Sequence, residues 1–263
     1  MNNFRDKVVW IVGASSGIGR ELAIQLDKLG AKLILSSRKE TELEELNNSL
    51  TKDRHLVQPL DLANSNSFAI ITEQVINHFN QIDYVFQSGG ITQRAEAHET
   101  DIAIDRKIME VNYFGNIALT KTILPFMQGQ KSGHIVVISS IAGKFGFFLR
   151  SAYAASKHAL HGFYESLLLE EEKNGIKVTI ACPGKINTPI SLNALTADGS
   201  PHGEMDHNQA SGMPVSTCVE QLLAATVKEK KEVLIGNKEI LAVKIKRFFP
   251  SLFWKIIKKQ KAT

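Results

Sequence analysis

The sequence predicts a doubly wound α/β fold, in which helices cover both faces of a mainly parallel sheet of seven strands. Two observations support this prediction. Short apolar runs rich in Val and Ile alternate with longer segments of helical periodicity, which is typical of βαβ units and a parallel sheet. The strand segments are also nearly continuous apolar runs, as expected when helices bury both faces of the sheet.

In chain order, the predicted strands lie at residues 7–12, 32–36, 55–60, 84–87, 134–139, 177–181 and 232–235. The predicted helices lie at residues 17–29, 40–50, 65–79, 101–127, 152–173 and 216–228. Residues 188–214 are rich in Ser, Asn, Gly, Asp and Pro and keep no period, so they predict either a lid or a partly disordered stretch. No linker or repeat divides the chain. We predict one domain over residues 1–237 and a separate C-terminal segment over residues 238–263.

The composition is that of an ordinary globular domain, with 43% hydrophobic and 22% charged residues among 263. The two cysteines, Cys182 and Cys218, lie far apart in unlike contexts, which argues against a disulfide framework and a cysteine-based metal site. The N-terminal region has no signal-peptide pattern, and no apolar run is long enough to span a membrane. A cytoplasmic location is therefore predicted.

The C-terminal segment differs from the rest of the chain in charge. After residue 240 it holds seven Lys and Arg residues and no acid; without them, 24 basic residues face 27 acidic ones, a net charge of −3. This mildly acidic body does not suggest nucleic-acid binding. Pro250 separates two amphipathic helical patterns in the segment, and Trp254 adds an interfacial aromatic. Basic amphipathic helices are typical of membrane surfaces, and the alternative is a helix packed on the body or on a partner subunit.

A glycine-rich turn follows the first predicted strand. Gly13, Gly17 and Gly19 stand in the run Gly-Ala-Ser-Ser-Gly-Ile-Gly, directly before an amphipathic helical pattern. Glycines at these points allow a tight turn and let the backbone approach a pyrophosphate, which then lies at the helix N-terminus. The strand–turn–helix context favours a Rossmann-type dinucleotide site over a merely flexible turn.

Tyr153 and Lys157 are four positions apart in a predicted helix, and residues with this spacing share a helix face. A nearby ammonium favours the phenolate and so lowers the pKa of a tyrosine, whose ordinary value is about 10. A general acid or base works best when its pKa is close to the operating pH. The pair therefore predicts a proton-transferring tyrosine, although such a spacing also arises by coincidence.

With these motifs the chain resembles the single-domain branch of the short-chain dehydrogenase/reductase family, from about residue 7 to residue 235. The glycine motif and the Tyr153–Lys157 pair match the family's motifs in order. The family's catalytic serine lies thirteen residues before the tyrosine, which is Ser140, with Ser139 as the nearest alternative. The family's structural and proton-relay asparagine matches Asn112.

The resemblance implies an oxidoreductase that transfers a hydride between a nicotinamide cofactor and a carbonyl or alcohol group. Tyr153 would be the general acid/base, Lys157 would lower its pKa and bind the nicotinamide ribose, and Ser140 would hydrogen-bond the substrate oxygen. Asn112 would support the active-site helix and a water chain. The family habit also implies a homo-dimer or homo-tetramer, and residues 89–94 with the basic C-terminus resemble one particular branch of the family.

The choice of cofactor depends on the end of the second strand, where NAD-dependent members usually carry an acid. This chain has Ser37 and Arg38, which suit the 2′-phosphate of NADP(H); the alternative is that Arg38 is a solvated residue at a helix start. Asp61 matches the family's adenine-contacting acid or else caps the following helix. The predicted cofactor contacts are Gly13, Ser15, Ser16, Gly17, Ile18, Gly19, Ser37, Arg38, Asp61, Leu62, Gly89, Tyr153, Lys157, Pro183, Gly184, Ile186 and Thr188.

Two departures from the family pattern occur together. Val12 stands where the family has a threonine before the first glycine, and Gln87 and Ser88 stand where it has two asparagines after the fourth strand. In relatives these residues tie two strand ends together by hydrogen bonds. Losing both partners at once is close to neutral, whereas losing one leaves a buried polar group unpaired. We therefore expect an altered scaffold contact and an effect on cofactor affinity.

Other candidates carry less weight. His202, Asp206 and His207 have a loosely metal-like spacing inside residues 188–214 and are explained as solvated loop residues, so no metal site is predicted. Met205 and Met213 are expected to line a lid over an apolar substrate. The aromatic run at residues 145–149 forms either an apolar wall beside the site or ordinary core packing.

The substrate is expected to be hydrophobic, because apolar side chains surround the predicted site. The competing function is that of a nucleotide-binding regulatory or interaction protein, which keeps the pocket without the activity. Such proteins typically lose the tyrosine or the lysine, and here both Tyr153 and Lys157 remain. The sequence therefore favours an NADP-dependent enzyme acting on CH–OH or C=O groups.

Overall fold

The structure is a computed structural model that describes residues 2–262. Seven strands and ten α-helices make up the described chain, with a few short 3-10 turns. The strands are β1 (Val8–Val12), β2 (Lys32–Ser36), β3 (Leu56–Val57), β4 (Tyr84–Gln87), β5 (Gly133–Ile138), β6 (Ile176–Pro183) and β7 (Glu232–Ile235). The helices are α1 (Gly17–Lys28), α2 (Glu40–Asn48), α3 (Phe68–Phe79), α4 (Ile102–Met109), α5 (Gly115–Gln130), α6 (Ser151–Glu171), α7 (His207–Ala210), α8 (Val215–Val227), α9 (Leu241–Phe248) and α10 (Pro250–Ile257).

The strands form one sheet in the order β3-β2-β1-β4-β5-β6-β7, and every pairing is parallel. The predicted doubly wound Rossmann fold with seven strands is confirmed, and the sheet is parallel throughout. The chain builds outward from β1 to β3, then crosses back to β4 and builds the other half. The two halves meet between β1 and β4, and in open α/β sheets ligands bind at this switch point, beyond the carboxyl ends of the strands.

Each face of the sheet buries its own hydrophobic core. Because side chains alternate along a strand, Trp10 and Ile11 of β1 point to opposite faces, and both are fully buried. The Trp10 face is covered by α3, α5 and α6, and the Ile11 face by α1, α2 and α8. The apolar runs of the strands therefore reflect burial on both sides, as the sequence predicts.

The third strand is shorter than predicted, covering Leu56–Val57 rather than residues 55–60. On one side of it the imidazole of His55 accepts the backbone N–H of Leu33 at 3.1 Å, so a side chain replaces a strand carbonyl. On the other side Pro59 has no N–H to donate. The regular ladder ends at both points, although the backbone N–H of Leu60 still reaches the carbonyl of Ser37.

The predicted helix at residues 101–127 is interrupted by a π-helical turn over Glu110–Phe114, which joins α4 to α5. Gly115 follows this turn and packs so closely on the chain that a Cβ there would lie 2.1 Å from the carbonyl oxygen of Leu62. π turns of this kind are rare and frequently lie at functional sites. Here the turn carries Asn112, one of the candidate catalytic residues.

The segment at residues 188–214 folds back over the carboxyl end of the sheet, with only the short α7 as regular structure. Backbone bonds hold it, including those from the N–H of Met213 to the carbonyl of Lys185 and from the N–H of Arg94 to the carbonyl of Leu195, both at 2.8 Å. The C-terminal segment forms α9 and α10, and Phe253 and Ile257 pack against Phe145. Among residues 2–262, no helix combines the length and apolar character needed to cross a membrane.

Candidate active site

The candidate catalytic side chains meet beyond the carboxyl ends of β4 and β5. Ser140 follows β5 by two residues, and α6 brings Tyr153 and Lys157 back across the same strand ends. Asn112 approaches from the π turn and is fully buried. The structure therefore brings together residues that are up to 45 positions apart in the sequence.

Ser140 and Ser139 face in different directions. Tyr153 and Ser140 both line a cavity, and the Ser140 hydroxyl, which donates to the Pro183 carbonyl at 3.4 Å, lowers the pKa of the Tyr153 phenol. The Ser139 hydroxyl instead lies 3.0 Å from the Nε2 of His161 and donates to the backbone carbonyl of Lys157. Of the two serines, only Ser140 is placed to touch a substrate oxygen near Tyr153.

The pKa of Tyr153 differs from the expectation drawn from the sequence. Burial is the largest influence and raises this pKa above its ordinary value, against the opposing effects of Ser140 and then of the Arg94 and Arg150 guanidinium groups. Lys157 does not account for the shift; its Nζ lies 5.7 Å from the centre of the Tyr153 ring. In the protein alone, Tyr153 is therefore a protonated phenol, which is the form that donates a proton to a carbonyl oxygen.

Lys157 is a buried ammonium with little compensation. Its Nζ donates to the backbone carbonyl of Ile138 at 2.8 Å, and among residues 2–262 it forms no salt bridge. Burial lowers its pKa to about 8. A lysine head group has three donors, so hydrogen-bonding capacity remains for a ribose hydroxyl.

Asn112 connects three parts of the site. Its Oδ1 accepts the backbone N–H of Ile91 at 2.8 Å, and its Nδ2 donates to the Ile91 carbonyl at 2.8 Å and to the Ser156 hydroxyl at 3.0 Å. Ile91 lies in the loop after β4, and Ser156 lies in α6 beside Lys157. The Asn112 side chain thus links α6 to the loop after β4 by hydrogen bonds. This is the supporting role that the resemblance implies for this position.

Gln93 is a positioning residue that the sequence did not single out. It is fully buried, and its Oε1 accepts the backbone N–H groups of Ala152 at 2.8 Å and Tyr153 at 3.2 Å. These donors lie in the first turn of α6, where the preceding Arg150 provides no side-chain cap. Because Gln93 and α6 are about sixty positions apart, no local capping pattern could reveal this contact.

The glycine turn forms a backbone cradle that fits a dinucleotide. Gly13 has a φ of +87°, and a Cβ there would lie 2.6 Å from the backbone nitrogen of Gly89. A Cβ on Gly17, whose φ is +53°, would touch the Thr188 side chain at 3.4 Å. Only glycine allows the β1 and β4 ends to approach so closely, and the turn opens onto the N-terminus of α1, where a pyrophosphate is stabilised. Ser15, Ser16, Ile18 and Gly19 lie in the same turn.

Residues 183–188, which hold the last four predicted cofactor contacts, connect the cavity lining with the glycine turn. Pro183 ends β6, Ile186 is buried, and Thr188 faces Gly17 of the glycine turn. Glu239, from the residues just before α9, accepts the backbone N–H of Lys185 at 3.0 Å. A Cβ on Gly184 would collide with this carboxylate at 2.4 Å, so the turn and the C-terminal segment are packed together.

The residues predicted to contact the adenosine part of the cofactor differ in exposure and in their hydrogen bonds within the protein. The Ser37 hydroxyl accepts the backbone N–H of Lys39, while Arg38 is exposed. Asp61 accepts the backbone N–H of Ala63 at 3.0 Å, so it caps a turn well before α3. The Leu62 side chain is buried and packs close to Gly89. Ser37 and Arg38 thus stand at the carboxyl end of β2, beside the cradle.

A different network accompanies the two departures from the family pattern, and it leaves the buried Oε1 of Gln87 without a hydrogen-bond partner among residues 2–262. The Gln87 side chain is buried and donates to the Thr120 hydroxyl, which in turn lies 2.8 Å from the Tyr164 hydroxyl. Gln87 therefore contacts α5 and α6 instead of joining the strand ends. The ends of β1 and β4 are held by the backbone bond from the N–H of Ser88 to the carbonyl of Val12 at 2.9 Å.

Beside Tyr153 lies a cavity of about 540 Å³, which is large enough for a small-molecule substrate. Its lining combines apolar side chains from several elements with a group of charges. Ile190 comes from the segment over the sheet, Phe145 and Phe147 follow β5, and Ile245 and Phe253 come from α9 and α10. Of the aromatic run at residues 145–149, Phe145 and Phe147 form the predicted wall, and Phe148 is 46% exposed.

Three expectations for the segment at residues 188–214 are wrong. Asp206 is not a solvated loop residue, since it is 2% exposed and paired with both Arg94 and Arg150. Met213 does not cover the cavity; it is buried in the core on the Ile11 face. Met205 is 39% exposed and also lies outside the cavity lining.

Three side chains of metal-ligand type form a cluster that no spacing in the sequence indicates. The donor atoms of His161, Cys182 and Glu232 lie within 4.8 Å of one another. Burial raises the pKa of the Cys182 thiol to about 12, and the Glu232 carboxylate is already paired with Lys144. The protonated thiol and the occupied carboxylate favour a packing role between β6, β7 and α6.

Comparisons with known proteins agree with this geometry. A model of the short chain dehydrogenase family matches residues 7–198. The Mus musculus protein named dehydrogenase/reductase SDR family member 7B is 41% identical over 260 residues, which cover 96% of this chain and 80% of the mouse protein. The Homo sapiens dehydrogenase/reductase SDR family member 7 is 38% identical over 262 residues, 97% of this chain and 77% of that protein. Residues 89–94 and the basic C-terminus resemble the branch of the family to which these two relatives belong.

Two solved structures share the fold. A short chain dehydrogenase/reductase from Burkholderia phymatum, in complex with NAD, superposes with a TM-score of 0.84 at 21% identity and covers 100% of this chain and 98% of its own. A short chain dehydrogenase from Burkholderia cenocepacia, in complex with NADP, gives a TM-score of 0.81 at 22% identity, with 98% and 99% covered. The chain belongs to the short-chain dehydrogenase/reductase family of nicotinamide-dependent oxidoreductases.

Proposed function

We propose that the protein transfers a hydride between NADP(H) and a hydrophobic carbonyl or alcohol compound, with Tyr153 as the general acid/base. The observation that supports this most directly is the shared cavity wall formed by Ser140 and Tyr153, with the Lys157 ammonium behind it. A bound NADPH would supply the hydride. The chain's own groups would position the substrate oxygen and move its proton.

In the reducing direction, Tyr153 donates its phenolic proton to the substrate oxygen as negative charge develops there. Ser140 donates a hydrogen bond to the same oxygen, which stabilises that charge. Lys157 binds the ribose and, as the nearest buried cation on α6, stabilises the phenolate that remains. Asn112 holds α6 in register through Ile91 and Ser156. In the oxidising direction the same groups act in reverse.

NADP(H) is proposed over NAD(H) because the end of β2 carries Ser37 and Arg38 and no acid. A guanidinium forms charge-assisted hydrogen bonds with a 2′-phosphate, whereas a carboxylate would repel it. The two similar solved structures hold NAD and NADP respectively, so the fold accepts either cofactor. The preference is therefore argued from this chain's own residues.

The test is steady-state turnover of a panel of aldehydes and ketones with NADPH and with NADH. We expect kcat/KM to be higher with NADPH, and Tyr153→Phe to lower it by about 10²–10⁴-fold. Tyr84→Phe is the matched control, since Tyr84 lies at the amino end of β4, away from the site. A preference for NADH would overturn the cofactor proposal, and undiminished activity in Tyr153→Phe would overturn the mechanism.

The competing proposal, a catalytically silent nucleotide-binding or interaction protein, is tested by the same panel. It predicts cofactor binding without turnover by the wild-type protein. The intact arrangement of Ser140, Tyr153 and Lys157 around an open cavity argues for the enzyme.

The regions around the cavity have proposed roles of their own. Residues 1–237 would form the catalytic domain, with residues 188–214 as a substrate lid, because Ile190 and Asp206 of that segment line the cavity.

A homo-dimer or homo-tetramer is proposed through α5 and α6, where Leu169 is 71% exposed. Light scattering would test this, and a monomer would contradict it. A cytoplasmic location stays a prediction.

Contact with a membrane surface is proposed for the outer face of the C-terminal segment. Its inner face packs on the body, as one alternative from the sequence expects, but Phe248, Phe249 and Trp254 are at least half exposed. Basic residues surround these side chains, and no acid follows residue 240. Co-sedimentation with anionic vesicles is expected for the full chain and not for a variant lacking residues 237–263. Equal binding by both would exclude this role.

A further inference from the structure

The charges that line the cavity do not balance. Arg94, Arg150, Lys185 and Lys238 are the cationic residues of the lining, and Asp206 and Glu239 are the anionic ones. The excess of positive charge is most deeply buried beside Tyr153. There the guanidinium groups of Arg94 and Arg150 share the carboxylate of Asp206. The Arg94 side chain is 1% exposed, that of Arg150 is 12% exposed and that of Asp206 is fully buried.

Arg94 by itself is enough to neutralise Asp206. Its Nε lies 2.9 Å from Oδ2 and 3.2 Å from Oδ1 of the carboxylate, and its Nη2 donates to Oδ2 as well. Its remaining Nη1 donates to the Thr92 hydroxyl and the Gln93 carbonyl. This is the bidentate geometry in which a guanidinium and a carboxylate pair most strongly. A brace that only had to hold the 188–214 segment in place would be complete at this point.

Arg150 adds a second positive charge to the completed pair. Its Nη2 donates to Oδ2 of Asp206 at 2.8 Å, and its Nη1 donates to the backbone carbonyls of Phe148 and Ala262. Among residues 2–262, its Nε–H has no acceptor, and no other carboxylate bonds to either guanidinium. Two buried positive charges that share one carboxylate are only partly neutralised, which is costly unless a ligand supplies a second negative charge. Burial and the neighbouring Arg94 lower the pKa of Arg150 to about 10, in keeping with uncompensated positive charge.

We propose that Arg150, with Arg94 behind it, is an anion subsite of the substrate cavity, and that the substrate is a keto acid or hydroxy acid with an apolar remainder. The surplus beside Asp206 is one positive charge, which matches one carboxylate. Arg150 lies three residues before Tyr153 at the start of α6 and lines the same cavity, so we expect the carboxylate of the substrate to lie a few bonds from the reacting carbonyl. The rest of the substrate packs on the apolar wall that Phe147, Ile245 and Phe253 form.

This inference rests on the proposed function, because it assigns the substrate class of the same cavity. The test compares a medium-chain 4-oxo acid, such as 4-oxononanoate, with its methyl ester, which has the same carbonyl and the same chain without the charge. With NADPH we expect the wild-type protein to favour the acid in kcat/KM by at least about tenfold, equivalent to about 1.4 kcal/mol. Arg150→Gln should reduce this acid-to-ester ratio towards one, and Arg150→Lys should restore part of it.

Lys177→Gln is the matched control, because Lys177 is half exposed, pairs with Glu229 at the surface and lies outside the cavity. It should keep the wild-type ratio. A wild-type protein that turns over acid and ester equally well, or an Arg150→Gln variant that keeps the preference for the acid, would overturn the proposal. Arg150→Gln leaves the Arg94–Asp206 pair in place, and its thermal unfolding verifies that it folds.

A binding measurement separates failure of this inference from failure of the proposed function. If no compound of the aldehyde and ketone panel is turned over, the function proposed above is wrong, but calorimetry with the acid and the ester still reports on the subsite. We expect the acid to bind wild-type protein at least about tenfold more tightly than the ester, and Arg150→Gln to lose that difference. Equal binding of acid and ester by the wild-type protein would rule out the anion subsite.

Discussion

The cavity is bounded by two regions that are built in different ways. The framework region, residues 8–187, holds Asn112, Ser140, Tyr153 and Lys157 on strand ends and α6 through buried hydrogen bonds. The closure region consists of the largely irregular residues 188–214 and of residues 238–262 with the short helices α9 and α10, and it is attached by the Asp206 ion pairs and by apolar contacts.

The difference indicates a division of labour. Rigid elements position reacting groups more accurately than loops do, whereas loops vary easily and set what a site accepts. We therefore expect changes to the catalytic side chains of the framework region to reduce turnover of every substrate. Changes in the closure region should alter the selectivity for substrates and the attachment of the C-terminal helices.

The largest effect is expected from Lys157→Met in the framework region. Loss of the buried ammonium removes the cation that binds ribose and stabilises the phenolate, so kcat/KM with NADPH should fall by about 10³-fold, equally for all substrates. Lys177→Met, at a surface ion pair, is the control. A loss of less than tenfold, or a loss confined to one substrate, would contradict the assignment of Lys157 to the framework chemistry.

The pH dependence of cofactor use should report on the same lysine. Burial lowers the pKa of Lys157 to about 8, so raising the pH through this value removes its charge in the free enzyme. We expect kcat/KM for NADPH to decline above pH 8, by up to about tenfold per pH unit. The decline should disappear in Lys157→Met. A wild-type profile that stays level to pH 9.5 would show that the charge is not needed.

A smaller and more selective effect is expected from Phe253→Ala in the closure region. Phe253 is 1% exposed and packs on Phe145, and truncating a buried phenylalanine costs about 3–5 kcal/mol in a core. We expect α9 and α10 to detach locally in this variant, so the whole protein should lose less than this. We expect KM for apolar substrates to rise about tenfold, and hydrogen exchange to accelerate across α9 and α10.

Trp254→Ala provides the matched comparison. The Trp254 side chain neighbours Phe253 but is half exposed and lies outside the cavity lining. It should leave KM in solution unchanged and weaken sedimentation with anionic vesicles. If both variants change KM alike, the inner and outer faces of the segment do not have the separate roles proposed for them.

The smallest effect on turnover is expected from His134→Gln, at the amino end of β5 and far from the cavity. Burial lowers the pKa of His134 to about 4, below the unfolded value of about 6.5, so the unfolded chain binds more protons between these two values. Stability is therefore lost as the pH falls from about 6.5 towards 4. Removing this imidazole should lessen the loss between pH 7.5 and pH 5 by about 2 kcal/mol in urea unfolding, without changing kcat/KM at pH 7.5.

His98→Gln is the control for this measurement, since the His98 side chain is 75% exposed. His161, whose pKa burial also lowers to about 4, should keep part of the pH dependence in the His134 variant. An unchanged dependence in His134→Gln would mean that the buried imidazole does not titrate on unfolding.

Much of the framework region could be predicted because its signals are local. β2, β4 and β7 have the predicted bounds, since each is a short apolar run with polar or glycine residues at its ends. The helix that carries Tyr153 and Lys157 could be predicted from its period and from the i, i+4 spacing. The π turn at Asn112 could not, because it depends on the approach of Gly115 to the Leu62 carbonyl across the fold.

The closure region could hardly be predicted at all. The sequence predicts that Asp206 is a solvated loop residue. Its partner Arg94 is 112 positions away, and no period or motif in the sequence relates the two residues. The capping role of Gln93 could not be predicted for the same reason, because the first turn of α6 lies 59 positions further along the chain. Contacts of this kind leave no pattern in a window of neighbouring residues.

The sequence by itself determined the doubly wound sheet, the family and the residues of the glycine, serine and Tyr-x-x-x-Lys motifs, because these depend on local periodicity and on fixed spacings. Only the tertiary structure decided the protonation of Tyr153 and Lys157 and the charge of the cavity. Burial and neighbouring charges set a pKa, and both exist only once distant segments pack together. The positive surplus beside Tyr153 arises from three residues that the fold alone brings into contact.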